Sequence, residues 1–109
     1  MSLITHIFHS HKRIQNGIVV SHDHVARSAN FDYDATGNSV LISIFPVLSP
    51  KRAYLVRQDF FTLYYRGDDP CYRFEIECWP DNGTIKRFSV FRDDMGVEYQ
   101  YISDYQDAM

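Results

Sequence analysis

Cysteine is scarce in this sequence, which contains only Cys71 and Cys78. These two residues are seven positions apart in what reads as one strand, so their side chains point to opposite faces and cannot pair within it. The sequence therefore gives no sign of a disulfide framework. We expect a reduced, cytoplasmic setting.

Long apolar runs and basic clusters are also missing. No stretch approaches the roughly 20 apolar residues of a membrane-spanning helix, and residues 1–13 lack the pattern of a secretory signal. The formal net charge is −3, so the chain lacks the excess of positive charge that is typical of nucleic-acid-binding proteins. We therefore expect neither a membrane nor a nucleic acid as partner.

Aromatic residues, in contrast, are abundant. They form 16% of the chain, with eight Tyr and eight Phe, and such residues favour strands. A length of 109 residues suits one hydrophobic core. We predict a single domain over 1–109, with an N-terminal helix or strand segment at 1–35 and an antiparallel meander at 39–105.

Three turn signals divide the region from Phe60 to Tyr105 into four strands. They are Gly67–Pro70, Asp81–Gly83 and Asp93–Gly96. Short loops at these positions set three pairings, which are Tyr65 with Tyr72, Ile76 with Phe88 and Val90 with Tyr99. Because a slip of one residue would reverse a strand's faces, agreement among three turns supports the meander.

The predicted registers give this meander two unlike faces. The apolar face consists of Phe61, Leu63, Tyr65, Tyr72, Phe74, Ile76, Phe88, Val90, Tyr99 and Tyr101. The other face is charged but interrupted by apolar side chains, which we call the predicted interaction surface: Phe60, Tyr64, Trp79, Ile85, Phe91 and Ile102. Such a patch favours association with another protein or with a second copy of this chain, and we predict a homodimer.

The N-terminal segment allows two interpretations. Leu3, Ile4, Ile7 and Phe8 recur at helical spacing, and Ser2 could cap a short helix that ends near Lys12. An alternating strand is the alternative, because short segments are ambiguous. The predicted fold class is mainly β, or α+β if the helix forms: an antiparallel β-meander sheet or partly closed barrel with a short N-terminal helix.

The middle of the chain reads as further strands. Phe31 and Tyr33 alternate in one strand, and Thr36–Asn38 is typical of a turn. Val40–Phe45 is apolar on both faces and is predicted to be buried. Ser49–Arg52 is interpreted as a hairpin turn, because basic residues in a first helical turn oppose the helix dipole.

The five histidines all fall within the first 24 residues. His9 and His11 would share a face if extended, as would His22 and His24, and two such pairs could bind a divalent metal. The alternative is a set of surface or polar-core histidines without a metal. No other cofactor is expected.

No coherent catalytic constellation emerges from the sequence. We therefore expect a small non-catalytic binding or interaction protein, such as an accessory, inhibitor or immunity-type factor of a mobile element. The first alternative is a metal-binding protein or metal-dependent enzyme that uses the histidines. The second is a small-ligand-binding domain with a cavity lined by tyrosines.

Overall fold

The computed structural model describes residues 2–44, 48–81 and 83–103, which form a single antiparallel sheet of ten strands. In chain order the strands are β1 (Ser2–Phe8), β2 (Ser10–Gln15), β3 (Ile18–Asp23), β4 (Arg27–Tyr33), β5 (Ser39–Ile44), β6 (Leu48–Asp59), β7 (Thr62–Gly67), β8 (Tyr72–Cys78), β9 (Ile85–Arg92) and β10 (Val97–Ile102). The mainly β prediction is confirmed. No helix occurs in these ranges, and none could therefore cross a bilayer.

The sheet curls into a partly closed barrel. Its strand order is β1-β4-β5-β6-β7-β8-β9-β10-β2-β3, and only His9 separates β1 from β2 along the chain. The His9 amide donates to the carbonyl of Ile102, 2.8 Å away, at the end of β10. One extended segment therefore pairs with β4 through its first half and with β10 through its second half, which brings the two ends of the sheet together.

The predicted N-terminal helix is wrong. Residues 2–15 are extended and form one long ribbon with residues 18–33, in which Phe8 pairs with Arg27 and His11 with Asp23. Asn16 and Gly17 make the turn, both with positive φ of 50° and 82°, as a tight hairpin turn requires. Residues 2–8 pair with β4, and residues 10–15 pair on both sides with β3 and β10; this tertiary pairing stabilises the extended form over an isolated short helix.

The registers of the meander are largely as predicted. Ile76 pairs with Phe88 and Val90 with Tyr99, and Gly83 has the expected positive φ of 71°. The β7–β8 register differs by two residues, since Tyr65 pairs with Phe74 rather than Tyr72. The loop covers 68–71 instead of 67–70, and an even shift leaves each side chain on its predicted face. Asn82 and Tyr105 lie outside the described residues.

The central strands bring one correction. Val40, Ile42 and Ile44 are buried in β5, as predicted, whereas Phe45 lies outside the described residues. Ser49–Arg52 is not a turn but the first part of β6, where Arg52 pairs with Leu41. A strand there orients Lys51 to the same face as the buried Ile42, its partner in the ladder.

The core lies on the concave side of the sheet. Its fully buried large side chains are Phe8, Phe31, Phe74, Phe88, Ile42, Ile44, Ile76 and Val40. Leu63, Tyr72, Cys78 and Tyr99 pack against this core, and both cysteines are free thiols, with Cys71 in the turn before β8. Phe61, predicted for the same face, is half exposed because the chain turns at Phe60 and Phe61.

Candidate functional site

A cavity opens in the concave face where β6 and β8 begin and β9 ends. It measures about 310 Å³ and is lined by Leu48, Tyr72, Val90, Arg92, Tyr99 and Tyr101. The ladder explains this lining, because Tyr72 pairs with Arg92 and Val90 with Tyr99, and directly paired residues share a face. Three of the seven tyrosines and phenylalanines predicted for one apolar face thus surround a space that the core does not fill.

Tyr72 is held between two cations at the wall of this cavity. The Arg92 guanidinium carbon lies 4.7 Å from the ring centroid, and the Lys51 ammonium nitrogen lies 5.1 Å from it. Arg92 Nη1 also donates to the Tyr72 hydroxyl at 3.0 Å. These contacts fix the orientation of the Tyr72 ring and add cation–π attraction.

Arg92 has its own counter-ion. Its Nε and Nη2 donate to the two carboxylate oxygens of Asp94 at 3.1 and 3.0 Å. This paired geometry raises the pKa of Arg92 and lowers the pKa of Asp94. The charge of Arg92 is therefore neutralised locally, and the residue acts on the cavity mainly by positioning Tyr72.

Strand β2 supplies two further polar side chains to the same face. Arg13 pairs with Tyr99 and His11 with Tyr101, so both point to the concave side. The His11 ring lies 4.8 Å from the ring of Tyr101. Burial is the main reason that the pKa of His11 lies below its usual value, with nearby Arg27 as the second cause.

A second ion pair, between Arg27 and Asp23, lies next to His11. Arg27 donates from Nη1 and Nη2 to the Asp23 carboxylate at 2.8 and 3.1 Å, and the hydrogen bonds from Arg27 lower the pKa of Asp23. The His11 Nδ1 lies 3.6 Å from the same carboxylate. Burial raises the pKa of the Tyr101 hydroxyl to about 12, so it stays protonated near neutral pH.

The predicted interaction surface is less apolar than the sequence indicates. Cationic side chains lie over three of its aromatic rings: Arg57 over Tyr64 at 4.2 Å, Arg73 over Phe91 at 3.9 Å and Lys86 over Trp79 at 4.9 Å. Ion pairs from Arg73 to Asp93 and from Arg87 to Glu77 lie on the same face as these rings. This convex face is therefore a charged surface in which the rings are shielded.

One residue of that predicted surface lies elsewhere. A register shift between Glu77 and Cys78 pairs Cys78 with Ile85, and Ile85 packs against the core instead of pointing outward. Ile102 stays on the convex face with Arg87, its partner in the ladder, and is half-buried there. The bulge that turns Ile85 inward is one extra residue in β9, which the turn pattern alone does not reveal.

Phe60 is the most exposed large apolar side chain among the described residues, at 88%. It makes the β6–β7 turn with a positive φ of 52°, a backbone conformation that is unfavourable for a bulky residue. Phe60, Phe61, Trp79 and Pro80 line one shallow recess. The predicted surface is therefore reduced to this tip, which we call the Phe60–Phe61 tip.

The four histidines proposed as metal ligands do not converge. The His22 and His24 rings are 4.8 Å apart, but His22 pairs with Lys12 and so lies on the face opposite His11. Within residues 2–44, 48–81 and 83–103, no group of three or more His, Cys, Asp or Glu side chains is arranged to hold a metal ion. The metal-site prediction has no geometric support.

Sequence reasoning missed Arg13, Lys51 and Arg92 as neighbours of the cavity. The sequence pattern could have revealed Arg13: if residues 10–15 form a strand, His11, Arg13 and Gln15 occupy alternate positions and share one face. The position of Lys51 could not be predicted as long as Ser49–Arg52 was interpreted as a turn and not as part of a strand. Arg92 follows directly from the predicted β9 alternation after Phe88 and Val90.

Comparisons with known proteins add no further assignment. The chain shows no significant match to a protein-family model, to a curated protein sequence or to a solved structure.

Proposed function

We propose that this protein is a binding protein that holds a small molecule in the tyrosine-lined cavity. The observation that carries the proposal is the cavity itself, about 310 Å³ and lined by three tyrosines, Leu48, Val90 and Arg92. Small-molecule sites are typically concave and mainly apolar, with a few placed polar groups and volumes of roughly 300–1,000 Å³. The cavity lies at the small end of that range, so a compact ligand with one ring fits best.

The polar groups around the cavity support binding rather than catalysis. Arg92 is paired with Asp94, and Arg27 with Asp23. The pKa of Tyr101 is raised to about 12 by burial, whereas a general base at neutral pH needs a pKa near 7. These groups can orient a ligand through hydrogen bonds and ring contacts without exchanging protons with it.

Blocking the cavity tests the proposal. The probes are 3-phenylpropanol and 3-phenylpropionate, and the variant is Leu48→Trp, which puts a large ring at the cavity wall. Leu55→Trp is the matched control, because Leu55 is also a half-buried leucine of β6 but does not line the cavity. We expect at least one probe to raise the Tm of the wild type and the control but not that of Leu48→Trp. Failure of both probes, or equal shifts in the two variants, would contradict the proposal.

A second candidate function is self-association through the Phe60–Phe61 tip, the remaining part of the predicted interaction surface. The observation in its favour is that an 88% exposed phenylalanine is kept in an unfavourable positive-φ conformation. Strain of this kind concentrates at functional positions. A homodimer formed through the tip would bury both rings against their copies.

Sedimentation analysis tests this candidate directly. The wild type should sediment as a dimer at high micromolar concentration, and Phe60→Ser/Phe61→Ser should sediment as a monomer. Val56→Ser is the control, since Val56 is 60% exposed on β6 but does not belong to the tip. A monomeric wild type, or a dimer that persists in the double variant, would rule the tip out.

A further inference from the structure

Two of the four cations on the concave face have no carboxylate partner in the structure. Arg92 pairs with Asp94 and Arg27 with Asp23. Lys51 and Arg13, in contrast, have no carboxylate oxygen within 4 Å among residues 2–44, 48–81 and 83–103. The concave face therefore carries an excess of positive charge next to the cavity.

Arg13 is unusual because part of its guanidinium is buried without an acceptor. Its Nη2 donates to Gln15 Oε1 at 3.3 Å, but its Nε is buried and has no hydrogen-bond partner. A guanidinium stays charged in folded proteins. The Arg13 side chain as a whole is half-buried, so the penalty is confined to the Nε–H, and an anion beside it would supply the missing acceptor.

Lys51 and Arg13 each lie next to a tyrosine of the cavity wall. The Lys51 ammonium lies 5.1 Å from the Tyr72 ring, and Arg13 is paired directly with Tyr99 in the ladder. Both tyrosines line the cavity. An anionic group inside it would therefore have a cation behind each of two walls.

We infer that the ligand of this cavity carries a carboxylate or a similar compact anion on a small apolar or aromatic body. This inference rests on the proposed binding function and specifies its ligand class. Arg13 and Lys51 do not line the cavity, so they attract the anion by charge from behind its tyrosine walls. Tyr72 and Tyr99 contact the apolar body, and Leu48 and Val90 complete its surroundings.

Three probes of equal size separate the ligand class from the binding function. They are 3-phenylpropionate, 3-phenylpropanol and 3-phenylpropylamine, compared by isothermal titration calorimetry with the full chain at low salt. We expect the carboxylate to bind roughly tenfold more tightly than the alcohol because of the two nearby positive charges, and the amine to bind most weakly. Higher salt should reduce the carboxylate's advantage.

Charge-removing variants identify the cations responsible. In Arg13→Gln and in Lys51→Gln the carboxylate's advantage over the alcohol should fall from roughly tenfold to about threefold, because one of the two attracting charges is gone. Lys12→Gln is the control, since Lys12 neighbours Arg13 but pairs with Gln100 on the opposite face. It should keep the full preference.

The stability of the unliganded protein provides a second readout for Arg13. Arg13→Met should raise the Tm, because the buried Nε–H without a partner disappears while the aliphatic contacts remain. A lower Tm for Arg13→Met would show that Arg13 stabilises the fold and is not reserved for a ligand.

The outcomes distinguish the two proposals. Equal affinity for all three probes, or tighter binding of the amine, would overturn the anionic ligand class and leave the binding function in place. Absence of binding by every probe would overturn both. If Arg13→Gln and Lys51→Gln both keep the full, roughly tenfold preference for the carboxylate over the alcohol, these two residues do not contribute to the site.

Discussion

Phe31 and Phe88 meet edge to face across the concave side of the sheet, with ring centroids 5.1 Å apart and ring planes inclined at 84°. Their strands, β4 and β9, are not neighbours, and four other strands separate them in the sheet order. The contact is therefore made across the interior of the curled sheet. It shows that the curl brings the N-terminal ribbon onto the meander to form one core.

Phe88 should consequently be among the most sensitive positions for stability. Its ring also lies near those of Phe8, Phe74 and Tyr101, and the side chain is fully buried. Phe88→Ala should lower the free energy of unfolding by about 3–5 kcal/mol, measured by urea denaturation, because it leaves a large cavity. Phe61→Ala, at a half-exposed ring, should cost less than about 1 kcal/mol. Similar costs for the two variants would contradict a core centred on Phe88.

The meander could be predicted because local signals sufficed. Each turn is marked by Gly, Asp or Pro, and the strands between them alternate, so Phe74, Phe88 and Tyr101 were placed on the correct face. The two-residue error in the register at Gly67–Pro70 leaves every side chain on its predicted face. Register errors of one residue, in contrast, would have exposed the core.

The N-terminal ribbon could not be predicted with the same means. Leu3, Ile4, Ile7 and Phe8 fit a helical stripe and an alternating strand almost equally well. The choice is made by pairing with β4 and β10, which are distant in sequence. The cavity shares this limitation, since Arg13 and Lys51 can be placed beside its walls only once residues 10–15 and 48–59 are known to be strands.

The buried histidines should make the protein less stable in mild acid. Burial lowers the pKa of both His6 and His11 below the ordinary value of 6.5, while the unfolded chain titrates near that value. The unfolded state therefore binds more protons below about pH 6.5, and the free energy of unfolding falls as the pH drops through the folded-state pKa values. Urea denaturation from pH 8 to pH 5 measures this slope.

The double variant His6→Gln/His11→Gln isolates this effect. It should flatten the pH dependence between pH 5 and pH 7, whatever its stability at pH 8. An unchanged slope in the variant would mean that other groups cause the acid sensitivity.

Buried tyrosines should limit stability at alkaline pH. Burial raises the pKa of Tyr101 to about 12 and also raises the pKa values of Tyr33 and Tyr65. Unfolded tyrosines ionise near pH 10, so the stabilising contribution is complete below that pH and is lost as the pH rises towards 12. Tyr101→Phe should reduce the loss between pH 10 and pH 12, followed by circular dichroism and by phenolate absorbance. A loss as steep as in the wild type would contradict the assignment to Tyr101.

Phe60 offers a test of whether the Phe60–Phe61 tip is kept at the expense of stability. Its φ of 52° is readily adopted by glycine but is unfavourable for a phenylalanine. The ring is 88% exposed, so removing it sacrifices little packing. Phe60→Gly should therefore raise the free energy of unfolding by about 1 kcal/mol, measured by urea denaturation. Phe61→Gly is the matched control and should lower it, because positive φ among the non-glycine residues described is confined to Asn16 and Phe60. If Phe60→Gly also destabilises the protein, the Phe60 ring contributes to the fold, and the argument for a functional tip fails.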